Sequence, residues 1–271
     1  MDRAPDIAGR AAGLLERAAE RLRNPAPQRE GLRFGVDLGT ATIVLCVVDG
    51  EGEPVYWDFL PERAVRDGVV VDFRRAAQAV AQLRRRCEAA LGVALESAAA
   101  AYPPGVPLAD CQACRYVLEQ AGIECRTLAD EVSAAQALLG VSEGLIVDVG
   151  GGSTGVGRVR AGKLVSVSDR PGGGYHLDLI LAGALGVSIE EAERCKRLEG
   201  HAHLNILRPG VERVAASIRQ QSGDAGPHAV HLAGGALMLP GAAQVIEQYL
   251  GWPAVAYPQA HLVTPFGIAL S

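Results

Sequence analysis

Leu145-Ile-Val-Asp-Val-Gly-Gly-Gly-Ser-Thr154 decides the fold, because an earlier stretch, Phe34-Gly-Val-Asp-Leu-Gly-Thr40, has the same form. Each is a β-forming apolar run that ends in an aspartate and a glycine turn. Each is followed by a second β-rich run, Ile43 to Val48 in the first and Gly155 to Val159 in the second. A further turn comes next, Asp49-Gly50 in one and Ala161-Gly162 in the other, with strand residues Leu164 to Val167 after the latter. Either stretch alone reads equally well as an ordinary β-hairpin with a glycine turn. Two strand–turn–strand–turn–strand units about 110 residues apart instead predict a duplicated α/β lobe.

Outward from these units, strands alternate with helices. Asp67-Gly-Val-Val-Val-Asp72 opens a helix through Ala76, Val80 and Leu83. Ala98 to Tyr102 reads as a strand ending at Pro103-Pro104-Gly105, and Cys111 to Ala121 as a helix stopped by Gly122. Glu131 to Leu139 is a further helix. After the second unit, helices are expected over Tyr175–Ala184, Ser188–Leu198 and Val211–Gln221. His228 to Leu232 is a buried strand that turns at Gly234-Gly235 into a helix from Pro240, and Thr264 to Leu270 is an apolar closing helix. Such alternation implies α/β layers with antiparallel edges. Residues 1–31 stand apart. Ile7, Ala11, Leu14, Leu15, Ala18 and Leu22 recur at helical spacing before Asn24-Pro25-Ala26-Pro27 breaks the helix.

The 271 residues suffice for two lobes, and 49% apolar against 21% charged content allows a real core. A net charge of −5 argues against nucleic acid as the main partner. No apolar run spans a bilayer, since Leu177 to Val187 is short and carries Asp178. The first residues lack the apolar segment of a secretory signal. A cytoplasmic protein with reduced cysteines is expected.

The chemistry is carried by the turns. Asp37 and Asp148 each place a carboxylate beside a glycine turn whose amides can face a phosphate. Gly39, Thr40 and Ala41 form the first turn; Gly150, Gly151, Gly152, Ser153 and Thr154 form the second. Two carboxylates beside a triphosphate suit Mg²⁺ held largely through water. The hydroxyls of Thr40, Ser153 and Thr154 can add phosphate contacts. Gly234 and Gly235 leave room for a flat adenosine against the backbone, or make a simple strand-to-helix turn. Glu193 and Lys196, three apart on a charged helix, can reach ribose and base, or form a solvated face. Glu131 can orient a water for phosphoryl transfer, or favour its helix dipole.

In these motifs the chain resembles the superfamily of actin, DnaK chaperones and sugar kinases. Within it, the chain is similar to the EutJ family of ethanolamine utilization proteins, encoded with bacterial microcompartments. Matching stretches run from Phe34 to the end of the sequence. They include Gly35-Val-Asp-Leu-Gly-Thr40, Tyr102-Pro-Pro-Gly105, Asp130-Glu131, Val147-Asp-Val-Gly-Gly-Gly-Ser-Thr-Gly155, Gly172-Gly-Gly-Tyr-His176, Leu232-Ala-Gly-Gly235 and Thr264-Pro265. The resemblance implies an actin-like ATPase fold: two duplicated ribonuclease-H-like lobes with a nucleotide cleft between them. Lobe I would be residues 32–141 plus 255–271, and lobe II residues 142–254. It also implies ATP and Mg²⁺ as cofactors, with Asp37 and Asp148 on the metal side and Thr40 and Ser153 on phosphate. Glu131 becomes the water- or metal-orienting acid, and Glu193, Lys196 and Arg197 the nucleoside-clamping helix. The peptide-binding domain of DnaK chaperones has no counterpart, the insert carrying their catalytic lysine is abbreviated, and Val132 replaces the proline after the Glu131 position. These departures imply slow or partner-stimulated hydrolysis.

The expected function is therefore an ATP-dependent, chaperone-like or assembly factor. Its partner would be an enzyme or shell protein of a microcompartment for ethanolamine or a related amine or diol. A small-molecule kinase and a filament-forming scaffold of the same fold are the alternatives. The N-terminal helix reads first as a loosely ordered tail, next as an encapsulation peptide; its alanine-rich face predicts no stable membrane insertion. Cys111 and Cys114 read as a semi-buried pair, His201 and His203 as a polar loop. His176 reads equally as a helix cap and as a neighbour of the nucleotide.

Overall fold

The computed structural model describes residues 7–27, 30–66, 69–106, 108–223 and 229–271. Their contacts divide into two units, one holding the residues up to Gly140 with Leu262–Ser271, the other Val141–His261.

In the first unit, β1 (Arg33–Leu38), β2 (Thr42–Val48) and β3 (Pro54–Pro61) form an antiparallel meander. Asp49 shapes its second corner by accepting the amides of Glu51 and Glu53 at 3.0 and 2.9 Å. A short ribbon, β4 (Val65–Arg66) and β5 (Val69–Val70), leads to α2 (Phe73–Leu91). Asp72 caps that helix by accepting the Arg75 amide at 3.0 Å. Next, β6 (Ser97–Tyr102) runs parallel to β1, and α3 (Leu108–Gln120) returns the chain to β7 (Glu124–Asp130), parallel to β6. Two helices, α4 (Glu131–Leu139) and α8 (Val263–Leu270), pack closely on each other. A side-chain carbon on Gly267 would strike the Ala134 carbonyl, and one on Gly35 would come within 2.5 Å of the Ala269 nitrogen. Both glycines are close-approach positions.

The second unit repeats the plan. Antiparallel strands β8 (Gly144–Val149), β9 (Ser153–Arg160) and β10 (Lys163–Pro171) are followed by α5 (Gly174–Leu185) and α6 (Ile189–Ser222). Then β11 (Val230–Ala233) pairs parallel to β8, and β12 (Ala254–Ala256) parallel to β11, with α7 (Ala242–Leu250) between them. The sheet orders are β3-β2-β1-β6-β7 and β10-β9-β8-β11-β12. Position for position these are the same sheet, so the duplication expected from two glycine stretches is present in the topology. Each unit has its own core, around Val36, Leu45, Val80 and Leu118 in one and Val147, Leu181, Leu207 and Ile246 in the other.

Several expectations change. Residues 7–27 are neither a tail nor a free docking helix. In α1 (Ile7–Ala19), Ala11, Leu15 and Ala18 are buried. Trp57 Nε1 donates to the Ala18 carbonyl at 2.8 Å. Main-chain bonds from Trp57 to Arg21, Arg23 to Trp57 and Ala26 to Val55, at 3.1, 2.9 and 2.8 Å, line the segment along the free edge of β3. Asp58, fully buried, pairs with Arg23 at 2.6 Å and Arg86 at 3.2 Å. Ala11, Leu15 and Ala18, half of the stripe read next as an encapsulation peptide, are thus packed on the first unit.

The change of unit expected at residue 255 comes at 262, because β12 pairs with β11. The helix expected over 188–198 ends at the non-helical Glu199, as expected, and the helix expected over 211–221 begins earlier, so that the second part of α6 runs from Gly200 through Pro209 to Ser222. His201 and His203 therefore sit on a helix rather than in a loop. Strand β7 was not foreseen. The helix expected from Pro240 begins at Ala242, with Gly241 as its cap. Asp67-Gly68 and His228 lie outside the described residues. No helix among the described residues is long and apolar enough to cross a membrane.

Candidate functional site

The predicted carboxylates and glycine turns fall at the carboxyl ends of strands, whereas Glu193, Lys196 and Arg197 lie on α6. In the first unit, Asp37 is the penultimate residue of β1, opposite Val44 of β2, and Gly39, Thr40 and Ala41 form the turn between the strands. All four are half-buried. A side-chain carbon at Gly39 would come within 2.7 Å of the Thr42 carbonyl, so the turn is tight. Glu131 opens α4 directly after β7. Its neighbour Asp130 caps that helix through the Ser133 amide at 2.8 Å and also accepts the Ser133 hydroxyl. Buried Cys114 lies in the field of Glu131 and Asp37. Its thiol is pushed up to about 12, first by burial, then by Cys111, Glu131, Cys125 and Asp37. Cys111 is buried too, donating to the Val106 carbonyl at 3.5 Å.

In the second unit the pieces converge more tightly. Asp148 is 7% exposed and stands opposite Ala233 of β11. Gly234 follows at φ +84°, where a side-chain carbon would collide with Asp148 Oδ1 and the Val149 carbonyl. The Gly150–Ser153 turn is closed by a bond from the Gly150 amide to the Ser153 carbonyl at 3.1 Å. A second glycine turn, Gly172–Gly174, is laced onto it. The amides of Gly172, Gly174 and Tyr175 donate to the carbonyls of Gly152, Gly150 and Gly151 at 2.8, 2.9 and 2.8 Å. A planar trans peptide points its N–H opposite to its C=O. With the carbonyls of Gly150 and Gly151 held by Gly174 and Tyr175, the amides of Gly151 and Gly152 in the same peptide planes face the other way. Among the described residues these two amides meet no main-chain acceptor. Adjacent outward amides make an anion-binding concavity.

The side chains partly redistribute the expected roles. Thr154 is buried, and its hydroxyl donates to the Gly172 carbonyl at 2.5 Å, so its proton serves the turn rather than a phosphate. Lys196 does not lie open on a solvated face. Its ammonium sits 2.6 Å from Asp178 Oδ1 as an ion pair and donates to the Gly174 carbonyl at 3.1 Å. Arg197 pairs with Glu193 at 2.6 Å on the outer side of α6. His176 caps α5, its Nδ1 accepting the Gly173 amide at 3.4 Å.

Sequence reading overlooked two contributors. Asp178 is a buried acid whose pKa burial raises, while Lys196 pulls it back down. The one signal for it was an aspartate inside an otherwise apolar run. His261 lies behind Gly235, whose side-chain position is 3.4 Å from His261 Cβ. Its Nδ1 is 3.2 Å from Met238 Sδ, and burial, then Arg197, lowers its pKa to about 4. Beyond Gly234, a cavity of about 290 Å³ opens between the strand ends, lined by Leu237, Met238, Pro240, Tyr257 and Gln259 among others.

No family model matches the chain. The ethanolamine utilization protein EutJ of Escherichia coli is 37% identical over 248 residues, covering 91% of this chain and 88% of that protein. The crystal structure of EutJ from Carboxydothermus hydrogenoformans superposes with a TM-score of 0.92 at 36% identity, covering 97% of this chain and 99% of that one. MreB5 of Spiroplasma citri, solved with AMPPNP, superposes at 0.72 with 16% identity, over 89% and 95% of the two chains, a likeness of fold alone. The fold is the actin-like ATPase fold that the resemblance implied, and the chain belongs to the EutJ family of ethanolamine utilization proteins.

Proposed function

We propose that this chain binds ATP with Mg²⁺ and acts as a nucleotide-dependent, chaperone-like or assembly factor for an ethanolamine (or related amine or diol) microcompartment. One observation carries the nucleotide reading: the carbonyls of Gly150 and Gly151 are held by Gly174 and Tyr175, which turns the amides of Gly151 and Gly152 to the opposite face of the turn. They sit beside a buried carboxylate, Asp148, which packs so closely on Gly234 that no side chain fits there. This donor set fits a phosphate and its cation, since amides take the anion and the carboxylate takes the metal through water. Bound Mg²⁺ would neutralise phosphate charge. Asp148 and Asp37 would hold it, Ser153 and the Gly39–Ala41 turn with Thr40 would touch phosphate, and Gly234 and Gly235 would pass the nucleoside. Glu131 would orient a water, giving slow or partner-stimulated hydrolysis. The microcompartment role rests on the EutJ relatives.

Titration calorimetry with Mg·ATP tests the site. Asp148→Ala is expected to weaken binding at least about tenfold, and unchanged affinity would refute this placement. ATP turnover that rises only when a microcompartment enzyme or shell protein is added supports the assembly role. Phosphate transfer to ethanolamine, acetate or a sugar would replace it with a kinase. Pelleting that depends on nucleotide would replace it with a scaffold.

A further inference from the structure

We infer that Lys196 is a positioning residue that braces the phosphate turn from behind, and not a clamp on the nucleoside; this rests on the nucleotide reading above. Three observations lead there. The Lys196 side chain is only 11% exposed, and the Asp178 side chain 7%, so the pair is fixed inside the unit. A lysine has three donors. One is spent on the Gly174 carbonyl and the ammonium as a whole is held by Asp178 at 2.6 Å. Gly174 and Asp178 both belong to the first turns of α5, so Lys196 ties α6 to the start of α5.

That start holds the phosphate turn. The amides of Gly174 and Tyr175 grip the Gly150 and Gly151 carbonyls, and the Gly172 amide grips Gly152. The approach is too close for any side chain at Gly173, whose added carbon would strike the Gly150 carbonyl. The outward aim of the Gly151 and Gly152 amides is therefore set by α5, and the seat of α5 is set by Lys196 with Asp178. Loosening the brace frees the peptide planes to rotate and spoils the anion concavity.

The test uses the full chain and displacement of a fluorescent ATP analogue by two probes, inorganic tripolyphosphate with Mg²⁺ and adenosine. For Lys196→Met, tripolyphosphate affinity is expected to fall about tenfold, with adenosine unchanged. Loss of adenosine affinity with tripolyphosphate intact would overturn the proposal, as would no change in either. Removing one partner of a buried pair can unfold a protein. The paired variant Lys196→Met with Asp178→Leu restores an apolar fit and must still lose tripolyphosphate affinity, or the brace is wrong. Hydrogen exchange in nucleotide-free protein reads the brace without any ligand. The Gly174 and Tyr175 amides are expected to exchange faster in Lys196→Met, and unchanged protection overturns the brace. If the wild-type chain binds neither probe, the nucleotide reading fails by itself while the exchange result stands on its own.

Discussion

At the level of single residues, the glycines and aspartates were readable because their constraint is local. Gly234 is an example in its left-handed backbone, whereas the loss of its side-chain space to Asp148 and Val149 comes from the pairing of β11 with β8. Gly234→Ala is expected to destabilise the second unit by about 2–4 kcal/mol, from positive φ plus steric displacement, measured by urea unfolding. His261 gives a pH prediction. Unfolded histidine titrates near 6.5, whereas in the fold burial and Arg197 lower it to about 4. Between those values the unfolded chain carries the extra proton, so stability is lost as pH falls through the window. Burial lowers the His231 pKa too and adds in the same direction. The urea midpoint is expected to drop between pH 7 and 5, and to drop less in His261→Gln; equal drops would remove His261 as the source. Lys196 shows what stayed hidden. Its spacing to Glu193 was visible, but its partners Asp178 and Gly174 are set by the packing of α5 on α6.

At the level of elements, the helices and strands with strong periodicity lie close to where the pattern put them, as with α4 over Glu131–Leu139. Two departures have physical causes. Strand β7, Glu-Cys-Arg-Thr-Leu-Ala-Asp, has little apolar content, and parallel pairing with β6 makes it a strand. The N-terminal helix, read first as a loose tail, has two alanines, Ala11 and Ala18, within its apolar stripe. Alanine is what lets it lie close on β3, with the rest supplied by Leu15 and by main-chain bonds. Leu15→Ala is therefore expected to cost about 2–4 kcal/mol in urea unfolding; a change below about 0.5 kcal/mol would restore the tail. In a Trp252→Phe background, deleting residues 1–27 is expected to red-shift the fluorescence of Trp57, now buried under Ala18. An unshifted spectrum would mean the helix does not cover it.

At the level of the whole molecule, binding should appear as stabilisation. If Mg·ATP binds the folded chain alone, ligand at a hundred times its dissociation constant adds about 2.7 kcal/mol and raises the melting temperature by a few degrees. Calorimetric scans with Mg·ATP and with Mg²⁺ alone check this, and identical curves would count against the site. Glu131→Gln is expected to keep the shift and lose turnover, since its proposed role is to orient water.

The sequence by itself determined that there are two copies of one lobe and where each carboxylate and glycine turn falls along the chain. These follow from strand periodicity, tight turns and the empty side-chain space of glycine, all short-range constraints. Only the tertiary structure decided which groups stand behind the turns. Gly172–Tyr175 claims the carbonyls of Gly150–Gly152, Thr154 spends its hydroxyl on that lacing, and Lys196 turns inward to Asp178. The reason is that hydrogen bonds and buried charges choose partners by proximity in space. That proximity comes from sheet register and helix packing, which residue spacing does not encode.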